Sequence, residues 1–138
     1  SRAYLLRQGR FQQITEDHSW IEEQVRAGLM SRDEALSAKG RNVLTRAIGQ
    51  EEVVQVDLDE LELQAGDSLL LCSDGLFGMV ADEEIAALIG VAKSPEAACR
   101  ELVACANGRG GRDNISVILL TAGEEKGLLA GMKRLFKG

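Results

Sequence analysis

A chain of 138 residues that is 45% hydrophobic and 28% charged has the length and apolar content of one domain with its own core. A net charge of −6 and an aromatic content of 4% exclude the basic, base-stacking surface that nucleic acid requires. Three cysteines, none in a C-x-x-C, supply neither a disulfide framework nor a zinc site, and suit a reduced, cytoplasmic setting. No run reaches the roughly 18–20 apolar residues that span a bilayer. No basic-then-apolar signal segment opens the chain, since "SRAYLL" starts directly in a strand pattern.

In chain order, "AYLLRQGRFQQIT" reads as two short strands around a Gln8-Gly9 turn. "SWIEEQVRAG" and "SRDEALSA" read as helices, with Ser19 as a cap and Ser31 and Glu34 spaced for a capping box. "NVLTRAIG" suits a strand or a loop equally. "VVQVDLDEL" alternates Val54, Val56 and Leu58 with polar neighbours, as a strand with one wet face does. "DSLLLCS" is apolar on both faces and is expected at the centre of a sheet, covered on each side. Asp82 is placed to cap "EEIAALIG", and Ser94-Pro95 to open "EAACRELVACA", with Asn107-Gly108 as its stop. "NISVILLT" is expected as a last buried strand. Residues 122–138 read as an amphipathic tail, with Leu128, Leu129, Met132, Leu135 and Phe136 at helical spacing among Lys133, Arg134 and Lys137. Strands in runs with helices between some of them indicate an α+β domain with a mainly antiparallel sheet.

Two acids stand out. Asp74 closes the apolar run "LLLCSDGLFGMV", and Asp113 opens the strand pattern in "GRGGRDNISVILL". If the two strands are adjacent and antiparallel, the end of one meets the start of the other and the carboxylates converge at one sheet edge. Gly75, Gly108, Gly110 and Gly111 around them permit close backbone approach. Two neighbouring carboxylates need a counter-charge, which Mg²⁺ or Mn²⁺ supplies through oxygen ligands. Asp-Gly is equally a common turn and Asp-Asn a common strand entry, so spacing alone leaves both readings open.

Other candidates carry less. His18, the one histidine, sits in "TEDHS" at a strand exit and reads as structural. Asp57, Asp59, Glu60 and Glu62 read as a solvated face. Ser73 has no G-x-S-x-G elbow around it, and "GRGGR" lacks the Gly-Lys-Ser/Thr ending of a phosphate-binding P-loop.

The succession "SRAYLLRQGRFQQITEDHSW", "VRAGLMSRDEA", "NVLTRAIG", "GDSLLLCSDGLFGMV" and "GGRDNISVILL" resembles the bacterial metal-dependent protein phosphatases of type 2C, the PPM family, over residues 1–121. "CSDGL" with "GGRDN" is the most specific pair. The resemblance implies a β-sandwich of two antiparallel sheets flanked by helices. It also implies two or more Mn²⁺ or Mg²⁺ ions that activate a water toward phosphoserine or phosphothreonine. By position, Asp74 and Asp113 are then metal ligands, and Gly75, Gly111 and Asn114 support their loops. Residues 19–38, with Trp20, Arg26 and Met30, match a flap tied to substrate choice. Implied partners are phosphoproteins made by a Ser/Thr kinase, with no nucleic acid and no membrane span.

The family's first half is not in this sequence: neither its early Glu-Asp pair, nor its Asp-Gly-x-Gly-Gly loop, nor its phosphate-binding arginine. The Gly-Asp that precedes Ser-Arg in the family would fall just before Ser1. The expectation is therefore a C-terminal half, inactive alone, whose missing half or another chain completes the sandwich. A sandwich lacking strands should expose apolar sheet faces and edges. A non-catalytic binding module on the same scaffold is the alternative. A receiver-like Mg²⁺ domain would need strand–helix alternation with a parallel sheet, which the sequence does not show.

Overall fold

The computed structural model describes residues 1–38, 43–49 and 52–123. Its backbone falls into two compact units. One comprises Ser1–Thr15 and the described residues from Glu62 onward; the other comprises the described residues of Glu16–Leu61.

The first unit is built on one antiparallel sheet in the order β2-β1-β3-β4. Strands β1 (Arg2–Arg7) and β2 (Arg10–Gln13) form the expected hairpin. Its two turn residues, Gln8 and Gly9, have φ of 51° and 78°, the left-handed pair that matches the twist of a tight hairpin. Strand β3 (Ser68–Cys72) lies between β1 and β4 (Val117–Thr121), with Tyr4 opposite Leu70 and Leu70 opposite Leu119. Three helices follow β3: α3 (Asp74–Phe77), α4 (Asp82–Val91) and α5 (Pro95–Gly108).

One sheet face and these helices share a core of Tyr4, Leu70, Cys72, Leu76, Val80, Ile85, Leu102 and Ala106. Tyr4 stacks on Phe11 at 4.7 Å and is fully buried. Its hydroxyl accepts from Arg2 Nη1 at 2.9 Å and donates to Asp82 Oδ1 at 3.3 Å. Helix α5 starts as the sequence indicates: Ser94 Oγ accepts from Ala97 N at 3.1 Å, with Pro95 in the first turn. For α4 the cap is Ala81, without a side-chain bond. Asp82 is the first helical residue instead, and the Tyr4 hydroxyl donates to its carboxylate.

Among the described residues, the opposite sheet face is open at Leu71, Ile118 and Leu120. Leu71 pairs in register with Ile118, and Leu69 with Leu120. Leu71, Ile118 and Leu120 are 39%, 58% and 51% exposed. Strand β3 is central, as expected, but is covered on one side only, and β4 is a half-exposed edge strand where a buried one was expected. The open apolar face agrees with the expectation for a sandwich lacking strands; the described residues form one sheet of it. "VVQVDLDEL" is not a strand. Its residues are exposed throughout, Leu58 to 91%, and no strand among the described residues pairs with them. Alternation suits a half-wet strand, but a strand forms only where a neighbour takes up its backbone hydrogen bonds.

The second unit holds α1 (Trp20–Arg26) and α2 (Arg32–Ser37). Ser19 Oγ accepts from Glu22 N at 3.3 Å, and Ser31 with Glu34 closes the capping box in both directions. "NVLTRAIG" resolves as a loop, within its described residues, with a bridge between Ser19 and Leu44. Of the acids expected on a solvated face, Asp57 is committed instead: Arg46 Nη1 lies 2.9 Å from both of its oxygens and His18 Nε2 lies 2.7 Å away. These contacts hold its carboxyl below the usual range, Arg46 contributing most. His18 is thus a structural partner, as its sequence context suggests. The expected tail helix lies outside the described residues.

Candidate metal centre

Beyond the paired ends of β3 and β4, at Cys72 and Val117, the two chains stay tied. Ser73 N donates to Ser116 O at 3.0 Å, and Ser116 N donates back to Ser73 Oγ at 2.9 Å. The Ser73 hydroxyl in turn donates to Asn114 O at 2.8 Å. Gly75 lies so close to this segment that a Cβ there would sit 2.4 Å from Asn114 O and 3.2 Å from Asp113 O. Only glycine fits. The segments that carry the two acids are therefore fixed to each other, through backbone atoms and the Ser73 hydroxyl.

Their local settings differ from the sequence expectation. Asp74 is the first residue of α3, where a strand end was expected. Asp113 lies in a loop and β4 starts only at Val117, where Asp113 was expected to open the strand. Strand patterns mark apolar runs, and here polar anchoring residues separate each acid from its strand. Asp113 Oδ1 accepts from Asn114 N at 2.7 Å, which fixes the carboxylate against its own backbone. Asn114 thus donates through its N–H to Asp113 and accepts through its C=O from Ser73. Gly111 has φ +50°, and a Cβ there would stand 2.8 Å from Asn107 Oδ1, so the exit from α5 requires glycine as well.

That exit is pinned from a second side. Arg109 Nη1 donates to Met79 O at 2.9 Å, and Arg109 Nη2 pairs with Glu84 of α4. Glu84 also accepts from the Cys105 thiol at 3.4 Å. The hydroxyl of Ser73 and the guanidinium of Arg109 are the positioning groups that sequence reading missed. Their partners stand 41 and 25 residues away, and no local pattern encodes such a distance. A further long-range tie joins Arg7 to Asp67, whose nearly buried carboxylate also accepts from Gln64 N. Both bonds keep the Asp67 carboxyl below its ordinary range. Cys72 is no nucleophile, for burial pushes its thiol up to about 11.

Asp74 and Asp113 are exposed, and neither has a basic partner among the described residues. Two exposed carboxylates without a basic partner are the hard oxygen donors that Mg²⁺ or Mn²⁺ takes, so the pair fits such an ion as part of a ligand set. It is only part. No cluster of three or more His, Cys, Asp or Glu with metal-site geometry occurs among the described residues. Trp20, Arg26 and Met30 belong to the second unit. There Trp20 is 45% exposed, Arg26 pairs with Glu16 at 3.0 Å and Met30 is half-buried.

A family model described as Stage II sporulation protein E (SpoIIE) matches residues 18–122, most of the chain. The serine/threonine phosphatase stp of Listeria welshimeri is 40% identical over 120 residues, 87% of this chain and 48% of that protein. The serine/threonine phosphatase PstP/Ppp of Mycobacterium tuberculosis superposes with a TM-score of 0.82 at 36% identity, covering 89% of this chain and 52% of that one. The chain belongs to the type 2C (PPM) protein phosphatase family. It spans about half the length of the curated relatives it matches, consistent with the C-terminal half of the type 2C domain. Another solved relative, the catalytic domain of PstP in complex with two manganese ions, has a TM-score of 0.67 at 36% identity, covering 86% of this chain and 48% of its own. Type 2C phosphatases are metal-dependent. In this type 2C chain, no helix among the described residues is long and apolar enough to cross a membrane.

Proposed function

We propose that this chain carries half of the metal site of a protein serine/threonine phosphatase, with Asp74 and Asp113 as ligands for Mn²⁺ or Mg²⁺. The observation that carries the reading is the tie between the two acids through Ser73, Gly75 and Asn114. Two acids on segments tied to each other, with no basic partner among the described residues, are prepared to bind one. An ion bound there supplies charge neutralisation to a phosphoryl group and a lowered pKa to water. Within this chain, Asn114 N–H holds the Asp113 carboxylate in one orientation, and Asp74 follows Ser73, whose hydroxyl ties the start of α3 to the Asp113 loop.

The uncovered face of Leu71, Ile118 and Leu120 supports a completing half, on this chain's own polypeptide or on another. Residues 19–38, including Trp20, Arg26 and Met30, act as the substrate flap, residues 1–121 belong to the phosphatase domain and 122–138 form a separate tail. The substrates are phosphoproteins generated by a Ser/Thr kinase in bacterial signalling, and the setting is cytoplasmic.

The test joins the chain to the N-terminal half of a type 2C relative and follows Mn²⁺-dependent hydrolysis of p-nitrophenyl phosphate and of a phosphothreonine peptide. Asp74→Asn and Asp113→Asn each keep the side-chain size and remove a negative ligand. Each should lower turnover at limiting Mn²⁺ by 10-fold or more, on the order expected for an altered metal site. His18→Ala should leave turnover in place. Near-full activity of Asp74→Asn at limiting Mn²⁺ would make Asp74 a turn residue and sink the assignment.

A further inference from the structure

We infer that Ser73 is a positioning residue that sets the spacing of the two acids and so the strength of metal binding. This rests on the reading of Asp74 and Asp113 as metal ligands.

Ser73 is the residue immediately before one acid. Its three bonds reach Asn114 and Ser116, one and three residues beyond the other. The hydroxyl is used in both directions at once, accepting from Ser116 N and donating to Asn114 O. It therefore bridges two backbone groups that the sheet ladder no longer holds, since the ladder ends at Cys72 and Val117. The acceptor Asn114 O is the same atom that stands closest to a Cβ built on Gly75, so the hydroxyl holds the 113–114 peptide against the start of α3. Helix α3 itself gains nothing from Ser73 as a cap, because the side chain makes no capping bond to it. The hydroxyl serves the junction between the acids.

Alanine removes both bonds and leaves Ser116 N and Asn114 O to solvent. Threonine keeps a hydroxyl, and its branched Cβ suits the extended backbone of Ser73, at φ −82° and ψ 167°. A group that orients metal ligands from behind typically changes metal affinity by 10–100-fold when removed.

The experiment titrates Mn²⁺ into the isotope-labelled 138-residue chain and reads paramagnetic broadening of the amides at 74–75 and 113–114. Wild type should broaden both segments with one shared midpoint. Ser73→Ala should raise that midpoint by about tenfold and separate the two segments, and Ser73→Thr should return it to the wild-type value. A purely structural role would lower the melting temperature of Ser73→Ala without moving the midpoint, and that result would overturn the inference.

Asp74→Asn and Asp113→Asn serve as the separate check on the underlying reading. If they leave the broadening in place, the metal assignment fails; if they abolish it while Ser73→Ala titrates as wild type, only the role of Ser73 fails. Should Ser73→Ala not fold, the wild-type chain still decides. Coupling is reciprocal, so diamagnetic Mg²⁺ must slow hydrogen exchange of the Ser116 amide as it binds. Unchanged exchange across a full Mg²⁺ titration would overturn the proposal.

Discussion

Two glycines show how differently one substitution can act at the scale of a residue. A methyl on Gly75 would meet the backbone oxygen of Asn114 at 2.4 Å, and backbone cannot rotate away as a side chain can. Gly75→Ala should therefore destabilise by about 1–3 kcal/mol, as overpacking does. Gly90, exposed near the end of α4, has nothing within 4 Å of such a methyl. Gly90→Ala should stabilise by about 0.5–1 kcal/mol through lower unfolded-chain entropy. Urea unfolding of both variants checks the pair of signs. Tyr4 gives a pH signature. Burial, partly offset by Arg2, pushes its hydroxyl from 10.0 up to about 12. The unfolded chain thus loses this proton before the folded one does. The associated stability is complete below pH 10 and is lost as pH rises toward 12. Tyr4→Phe should flatten that alkaline slope and cost about 1 kcal/mol at neutral pH for the lost hydroxyl bonds. Melting curves between pH 8 and 12 would show it.

Elements were legible in proportion to how local their signals are. Ser31 with Glu34, and Ser94 with Pro95, marked helix starts because capping groups lie within three residues of their partners. Gln8-Gly9 marked the hairpin for the same reason. Asp82 was misplaced by one position because its carboxylate meets Tyr4, 78 residues away. For the strands, period and apolarity told which side chains share a face, not what covers it. Hence "DSLLLCS" read as covered twice and is covered once, and "VVQVDLDEL" read as a strand and has no neighbour. The approach of the segments around Asp74 and Asp113 was legible because it follows from adjacent antiparallel strands. The tie through Ser73 was not, since a hydroxyl beside an acid looks the same whether it is bonded or free. The two sides of the sheet should respond oppositely to mutation. Leu70→Ala, fully buried, should cost about 2–5 kcal/mol. Ile118→Thr with Leu120→Thr puts polar β-branched residues on an open face. It should cost far less while reducing self-association, as read by sedimentation velocity and chemical denaturation.

At the scale of the whole molecule, the sheet is assembled from distant chain segments. Tyr4 pairs with Leu70, so β1 and β2 wait as a lone hairpin until the entire second unit and β3 have been made. Both ends of that intervening segment return to the same strand. Ile14 N donates to Ala3 O and Ala3 N to Thr15 Oγ1, while Arg7 Nη2 donates to Glu62 O. Four residue steps lead from Ala3 to Arg7, roughly 13 Å at strand rise. A linker of about eight Gly and Ser residues therefore spans the gap. Replacing Glu16–Leu61 by such a linker should leave the amide-exchange pattern of β1, β3 and β4 intact. The shorter loop should lower the cost of loop closure by about 1.5 kcal/mol, and loss of the sheet's protection would show that the insert is required for folding. Entry and exit on a single strand make the second unit a cassette. It can be lengthened, shortened or exchanged for another without altering one hydrogen bond between Ser73 and the Asp113 loop. Under the proposed flap role, selection on what is recognised proceeds in the insert while the acid pair is inherited unchanged.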